Sequence, residues 1–232
     1  MKTSTAIIIF TRTAPDEAKH KCFIPSGNSK ANRLIAKTLI RHTVGTVRKA
    51  GLPYYTIYSD QQQGETFGER IGSSMRQVFD NGYDNVIVIG NDCPEVSKTI
   101  LLEANAAFEL HNAVIGPATD GGAYLIGISR KQFEALEQFK DVHWESDEML
   151  SSLVSLLDRT STSFVTLELK EDIDNCLDIS KHFCISSFLN VVDLIIKSIL
   201  ASARKSVQSY QFSLVNFIKE CAIGLRAPPC YC

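Results

Sequence analysis

The sequence predicts an α/β fold, a mixed and mainly parallel sheet covered by helices, and three observations carry that reading. Apolar runs of strand length alternate with segments of helical periodicity along most of the chain. Val86-Ile87-Val88-Ile89 breaks at once into Gly90-Asn91-Asp92-Cys93-Pro94, and Ala113-Val114-Ile115-Gly116-Pro117 runs into Asp120-Gly121-Gly122. A carboxylate at the carboxyl end of a buried strand sits where open α/β sheets gather their ligands. Glycines beside it let backbone approach a phosphate or sugar closely.

Taken in order, Ala6 to Phe10 is a buried first strand, followed by a polar loop from Thr11 to Ser29. A helix follows, capped by Asn28 or Ser29, with Ile35, Leu39 and Val47 at helical spacing, and Gly51 with Pro53 ends it. Tyr54 to Ser59 is rich in Tyr, Thr and Ile and reads as a second strand. Glu69 to Asn81 is helical up to Gly82, Val86 to Ile89 is the third strand, and Ser97 caps a helix reaching Glu109. Ala113 to Pro117 and Ala123 to Ile128 are strands around the second aspartate loop, and Lys131 to Gln138 and Asp147 to Arg159 are helical. Phe164 to Leu169 alternates, which suits an antiparallel or edge strand and makes the sheet mixed. Beyond Asp178 the composition changes, and Lys181 to Gly224 reads as two helices with Leu189, Val192, Ile196, Ile199 and Leu200 on one stripe. That stripe implies packing on the domain or on a second copy of the chain, a homodimer through these helices.

At 232 residues the chain fits one α/β domain over 1–180 with a helical extension over 181–232. Twenty-four Lys and Arg stand against 26 Asp and Glu, a net charge of −2 with no long run of either sign. Neither a nucleic-acid surface nor a polybasic membrane contact is expected. The apolar stretch Ala6 to Phe10 is too short for a secretory signal, and Phe183 to Ala203, interrupted by Asp193 and Lys197, is no membrane span. Seven cysteines, odd in number and scattered, fit reduced thiols and a cytoplasmic location. Cys230-Tyr231-Cys232 reads as a frayed tail.

The first-strand loop reads Thr11-Arg12-Thr13-Ala14-Pro15, without the Gly-x-Gly-x-x-Gly of a dinucleotide site, and the chain has no Gly-Lys-Ser/Thr phosphate loop. Phosphate recognition would therefore fall to side chains, and Arg12, Lys19 and Lys21 are the cations on that loop. The alternative for these three is a solvated surface loop. Each aspartate also has a structural alternative. Asp92 can cap the turn before Ser97, Asp120-Gly121 can be a tight turn between strands, and Asp172 or Asp174 can cap the following helix.

The ordered set Phe10 to Pro15, Lys19-His20-Lys21, Gly64 with Phe67-Gly68-Glu69-Arg70, Gly90 to Pro94, Asp120 to Gly127, Trp144 and Asp172-Ile173-Asp174 spans residues 5–178. It resembles a bacterial and archaeal group provisionally classed as glycosyltransferases, the rSAM/selenodomain-associated transferases, within the nucleotide-diphospho-sugar transferase superfamily. The resemblance implies a GT-A fold, a three-layer α/β arrangement shared with molybdenum-cofactor guanylyltransferase and the sugar-1-phosphate nucleotidyltransferases. It further implies that Arg12, Lys19 and Lys21 meet phosphates, that Gln63, Gly64 and Gly68 line a nucleotide pocket, and that Asp92 holds Mg²⁺ or Mn²⁺. Asp174 falls where several relatives supply a second metal ligand, and Asp120, Gly121 and Gly122 would face a sugar or acceptor. Such a cation takes oxygen ligands, commonly one or two carboxylates plus substrate phosphates, and neutralises charge on a diphosphate.

Two departures stand out. Asp16-Glu17-Ala18 precedes Lys19-His20-Lys21 where the group usually has a glycine before Lys-Thr-Arg, which adds negative charge and replaces a bidentate fork by a point charge. Ala123 stands where a tyrosine is usual, which enlarges the acceptor pocket or marks lost activity. The expectation is a metal-dependent transferase using a nucleotide or nucleotide-sugar donor and an acceptor of unknown identity, a glycosyltransferase first. A nucleotidyltransferase is the alternative, and an inactive nucleotide-binding scaffold is the third reading.

Overall fold

β1 (Thr5–Thr11) is buried at every position, and a strand buried on both faces belongs inside a helix-covered sheet. The computed structural model describes residues 4–21, 23, 29–136 and 139–173. In it β1 pairs in parallel with β2 (Tyr54–Tyr58) on one side and β3 (Asn85–Ile89) on the other. β3 is followed across the sheet by β5 (Ala123–Ser129), β4 (Ala113–Pro117) and the short edge strand β6 (Phe164–Thr166), giving the order β2-β1-β3-β5-β4-β6.

The sheet is mixed, as expected, but through a different strand. β5 runs antiparallel to both β3 and β4, because the tight turn at Asp120-Gly121 folds it straight back along β4. β6 is the expected edge strand, yet it runs parallel to β4. Its alternation encodes which face is buried, while the connection ahead of it decides its direction.

Alternation along the central strands feeds two apolar layers. Ala6, Ile8, Phe10, Val86 and Val88 face α3 (Phe67–Asp80), α5 (Arg130–Ala135) and α6 (Met149–Arg159), packing with Met75, Phe79, Phe133 and Leu153. Ile7, Ile9, Ile87 and Ile89 face the other way, onto Val47 of α2 (Ser29–Ala50) and Leu101 of α4 (Lys98–Ala107). The result is a helix–sheet–helix sandwich. Gly51, at φ +75°, ends α2 as expected, and Ser97 caps α4 by accepting from the Ile100 amide.

The loop after β1 is not a loop throughout. Ala14–His20 form a helix, α1, with Thr13 as N-cap, Pro15 in the first turn beside Asp16 and Glu17, and Lys19 and His20 in the last. Every feature of that sequence favours a helix end, so the expected polar loop from Thr11 is corrected over these residues. Asn28, Asp174, the extension over 181–232 with its dimer stripe and the Cys230-Tyr231-Cys232 tail lie outside the described residues. Among the described residues no helix is long and apolar enough to cross a membrane.

Candidate active-site cleft

The carboxyl ends of the parallel strands β1 and β3 lie side by side and open into a cleft of about 780 Å³. Thr11 and Arg12 come from the end of β1, Gly90, Asn91 and Asp92 from the end of β3, and Asp120, Gly122 and Ala123 from the β4–β5 turn. Phe67 and Arg70 of α3, Gln62 ahead of it, and Trp144 to Asp147 close the remaining sides.

Asp172 reaches the cleft by a tertiary route. Beyond β6 the chain continues along β4, with the Leu167 amide donating to Ile115 O and the Lys170 amide to Pro117 O, until the Ile173 amide donates to Asp92 O at 2.8 Å. That last bond sets Asp172 against the loop that carries Asp92, and both line the cleft.

The charged groups form one connected cluster. Lys21 Nζ donates to Asp92 Oδ2 at 2.8 Å and to the Ile173 carbonyl at 3.2 Å, and lies 3.4 Å from Glu17 Oε1. Glu17 is buried, and its other oxygen lies 3.7 Å from Arg12, whose guanidinium also approaches Glu145 at 3.8 Å. Burial opposes ionisation of Asp92, but the charge and hydrogen bond of Lys21, with Arg12 behind them, outweigh it and hold the carboxyl below its ordinary value. Glu17 is thus an anchor for both cations, where the sequence alone marked it only as added negative charge.

Asn91 contributes a different feature. Its Oδ1 accepts from Thr11 Oγ1 at 2.8 Å, while its Nδ2 is buried and meets no hydrogen-bond acceptor among the described residues. A buried donor left unmet at a cleft wall favours a ligand that brings an acceptor. Cys93 beside it is buried, and burial, with the charges of Asp172 and Asp92, pushes its thiol up, so it stays protonated and inert.

The sequence-derived candidates separate accordingly. Arg12, Asp92, Asp120 and Gly122 line the cleft, and Lys21 reaches it through Asp92. Lys19 turns away onto Asp16 at 2.9 Å. That contact, with bonds from Thr13 and Ser59, draws the Asp16 carboxyl down to about 2. Gln62 rather than Gln63 faces the cleft, donating to the Thr11 carbonyl at 3.2 Å; in a run of three glutamines, only the turn geometry selects it. Gly64, at φ +133°, shapes that turn, and Gly68 lies behind Trp144 in a neighbouring depression. Gly121, at φ +89°, lets the β4–β5 turn press against the Asp147 carbonyl. Asp120 keeps its structural alternative as well, since its Oδ1 accepts from the Gly122 amide at 2.8 Å. Trp144 is packed between Phe67 and Phe139, ring centroids 5.5 and 5.2 Å away, and donates to the Phe139 carbonyl.

Asp92 and Asp172 offer hard oxygen donors at one end of the cleft, the chemistry that Mg²⁺ and Mn²⁺ take. Among the described residues no three metal-ligating side chains gather, so a cation here would draw most of its ligands from substrate and water.

The strand order, the three layers and the cleft at the carboxyl ends define the fold of the nucleotide-diphospho-sugar transferases. A Desulfovibrio desulfuricans G20 protein provisionally named a nucleotide-diphospho-sugar transferase is similar at 22% identity over 84% of this chain and 98% of its own, TM-score 0.72. The 4-diphosphocytidyl-2C-methyl-D-erythritol synthase of Anaerococcus prevotii DSM 20548 is similar at 11% identity over 78% and 97%, TM-score 0.51. A homologue of the Mycobacterium tuberculosis protein Rv0371c, from Mycobacterium sp. strain JC1, is similar at 13% identity over 84% and 100%, TM-score 0.50. Residues 42–146 match the model of DUF2064, a family described as an uncharacterized protein conserved in bacteria. No curated protein matches the chain.

Proposed function

We propose that this protein is a transferase that takes a nucleotide-activated donor, and that the group it moves is a glycosyl residue. The observation that carries the reading is the cation pair Arg12 and Lys21 set beside Asp92 and Asp172 at the carboxyl ends of β1 and β3. Two neighbouring cations can meet a diphosphate as their carboxylate partners yield, and the fold gathers ligands at this edge.

Phosphate recognition here belongs to side chains. The loop after β1 closes into α1, whose first turn holds Pro15, which has no amide hydrogen, and the carboxylates Asp16 and Glu17. Acids at a helix start repel phosphate instead of cradling it, which leaves the phosphate contact to Arg12 and Lys21. Arg12 and Lys21 would stabilise the departing diphosphate, Asn91 Nδ2 would donate to the nucleotide, and Asp120 with the space beside Ala123 would receive the sugar or acceptor. Asp92, with Asp172 beside it, would hold a divalent cation that neutralises charge on the leaving diphosphate.

Nucleotidyl transfer is the second reading, supported by the likeness to the 4-diphosphocytidyl-2C-methyl-D-erythritol synthase. A thermal-shift panel of nucleoside diphosphates, triphosphates and nucleotide sugars, each with EDTA, Mg²⁺ or Mn²⁺, separates the two. A specific ligand at a hundredfold excess over its dissociation constant stabilises by about 2.7 kcal/mol. Response to nucleotide sugars supports glycosyl transfer, response to triphosphates alone supports nucleotidyl transfer, and silence from every nucleotide would leave an inactive scaffold.

A further inference from the structure

The cation seat on Asp92 is already taken. Lys21 Nζ sits 2.8 Å from Asp92 Oδ2, 3.2 Å from the Ile173 carbonyl and 3.4 Å from Glu17 Oε1. The side chain is 10% exposed, against 3% for Glu17 and 29% for Asp92. An ammonium has three N–H donors; here Asp92 and the Ile173 carbonyl accept hydrogen bonds from it, and Glu17 lies close by as an ion-pair partner.

A divalent cation at this end of the cleft would compete with Lys21 for the Asp92 carboxylate. An ammonium bonded to one oxygen of a carboxylate repels a dication approaching either oxygen, and so weakens its binding. Coordination by Asp92 is therefore favoured once Lys21 withdraws from it. The lysine needs somewhere favourable to go, and Glu17 alone offers no new charge. A donor diphosphate held by Arg12 would supply that charge, with Glu17, one helical turn before Lys21, keeping the lysine within reach.

We propose that Lys21 is the resident counter-ion of Asp92 and couples metal loading to donor loading. Without donor, Lys21 keeps Asp92 closed to divalent ions; donor phosphate draws Lys21 away and opens Asp92. The inference rests on the transferase reading and goes beyond it by stating an order of loading. Linkage makes the coupling reciprocal, so the donor raises metal affinity by the factor by which the metal raises donor affinity.

The test follows the electron paramagnetic resonance signal of free Mn²⁺ as it is titrated with the full chain. Three proteins are compared, wild type, Lys21→Met and Lys21→Met/Asp92→Asn, each alone and with UDP, GDP, CDP or ADP in turn. Wild type alone is expected to leave the Mn²⁺ signal unchanged. Lys21→Met alone is expected to take up Mn²⁺ at least about tenfold more tightly, a coupling of ordinary size for two linked sites, and the double variant is expected to lose that uptake. In wild type a bound nucleotide is expected to raise Mn²⁺ uptake beyond the nucleotide's own chelation. That wild-type arm stands even if Lys21→Met does not fold, which circular dichroism would show. Mn²⁺ bound equally by wild type and Lys21→Met without nucleotide overturns the inference alone, as does nucleotide binding that never recruits Mn²⁺. If no nucleotide binds under any condition, the transferase reading falls and the coupling with it.

Discussion

Asn91 presents two ends of one amide to two different partners. Its oxygen holds Thr11 at the end of β1, and its nitrogen is buried without an acceptor among the described residues, in a residue that lines the cleft. Asn91→Asp keeps the oxygen for Thr11 and replaces the donor by a second oxygen that repels phosphate. We expect nucleotide affinity to fall by about tenfold or more, since a buried donor is worth about 1–3 kcal/mol, in a variant that still unfolds cooperatively but at a lower temperature, because the new carboxylate is buried. Isothermal titration with the best nucleotide of the thermal-shift panel checks this, and unaltered affinity would free Asn91 of any ligand role. Asp92→Asn tests the other strand-end residue. It should abolish the extra stabilisation that Mn²⁺ adds to a bound nucleotide while thermal unfolding stays cooperative, and unchanged metal dependence would remove Asp92 from the site.

Among the elements, α3 shows how one helix carries two glycines for opposite reasons. Thr66 and Glu69 close a reciprocal capping box at its start, Glu69 N donating to Thr66 Oγ1 at 3.1 Å and Thr66 N to Glu69 Oε2 at 3.2 Å. A Cβ on Gly68 would collide with the Lys140 carbonyl and come within 2.6 Å of the Trp144 ring, whereas one on Gly72 would meet nothing within 4 Å. Gly68→Ala should therefore destabilise by about 1–3 kcal/mol through overpacking. Gly72→Ala, in the middle of the helix, should stabilise by about 0.5–1 kcal/mol by reducing unfolded-state freedom. Urea denaturation of both variants decides it, and a shared sign would refute the packing account. The strands and long helices are legible in the sequence because strand burial and helical periodicity are local patterns, as Val86 to Ile89 and the Ser97 cap show. The start of α3 and all of α1 also carry local signals, Thr66 with Glu69 and Thr13 with Pro15. Polar composition masked them, since charged residues around a phosphate loop and charged residues in a short capped helix look alike.

At the scale of the whole molecule, what the sequence hides is pairing across distance. Arg12, Lys21 and Asp92 are visible as candidates because each stands at or near a strand end. The bonds joining Lys21 to Asp92, Arg12 to Glu145 and Ile173 to Asp92 exist only once the sheet has closed. The same closure ties the α2 layer to the cleft. His42 Nε2 donates to the Pro94 carbonyl at 3.1 Å, joining α2 to the loop that carries Asp92. Burial disfavours the charged ring and the bond to Pro94 opposes that effect only in part, with the charge of Lys49 adding to the burial, so His42 titrates below its ordinary 6.5 in the fold. Below pH 6.5 the unfolded chain takes up a proton that the fold resists, so the contribution is complete above 6.5 and is lost as pH falls through the lower folded value. We expect the melting temperature to decline between pH 7.5 and 5.5, before most carboxylates titrate. His42→Gln keeps an amide donor for Pro94 but removes the titration, and should decline less over the same interval. Melting curves of both proteins in matched buffers decide it. Parallel declines would place the pH response outside the junction between α2 and the cleft loop.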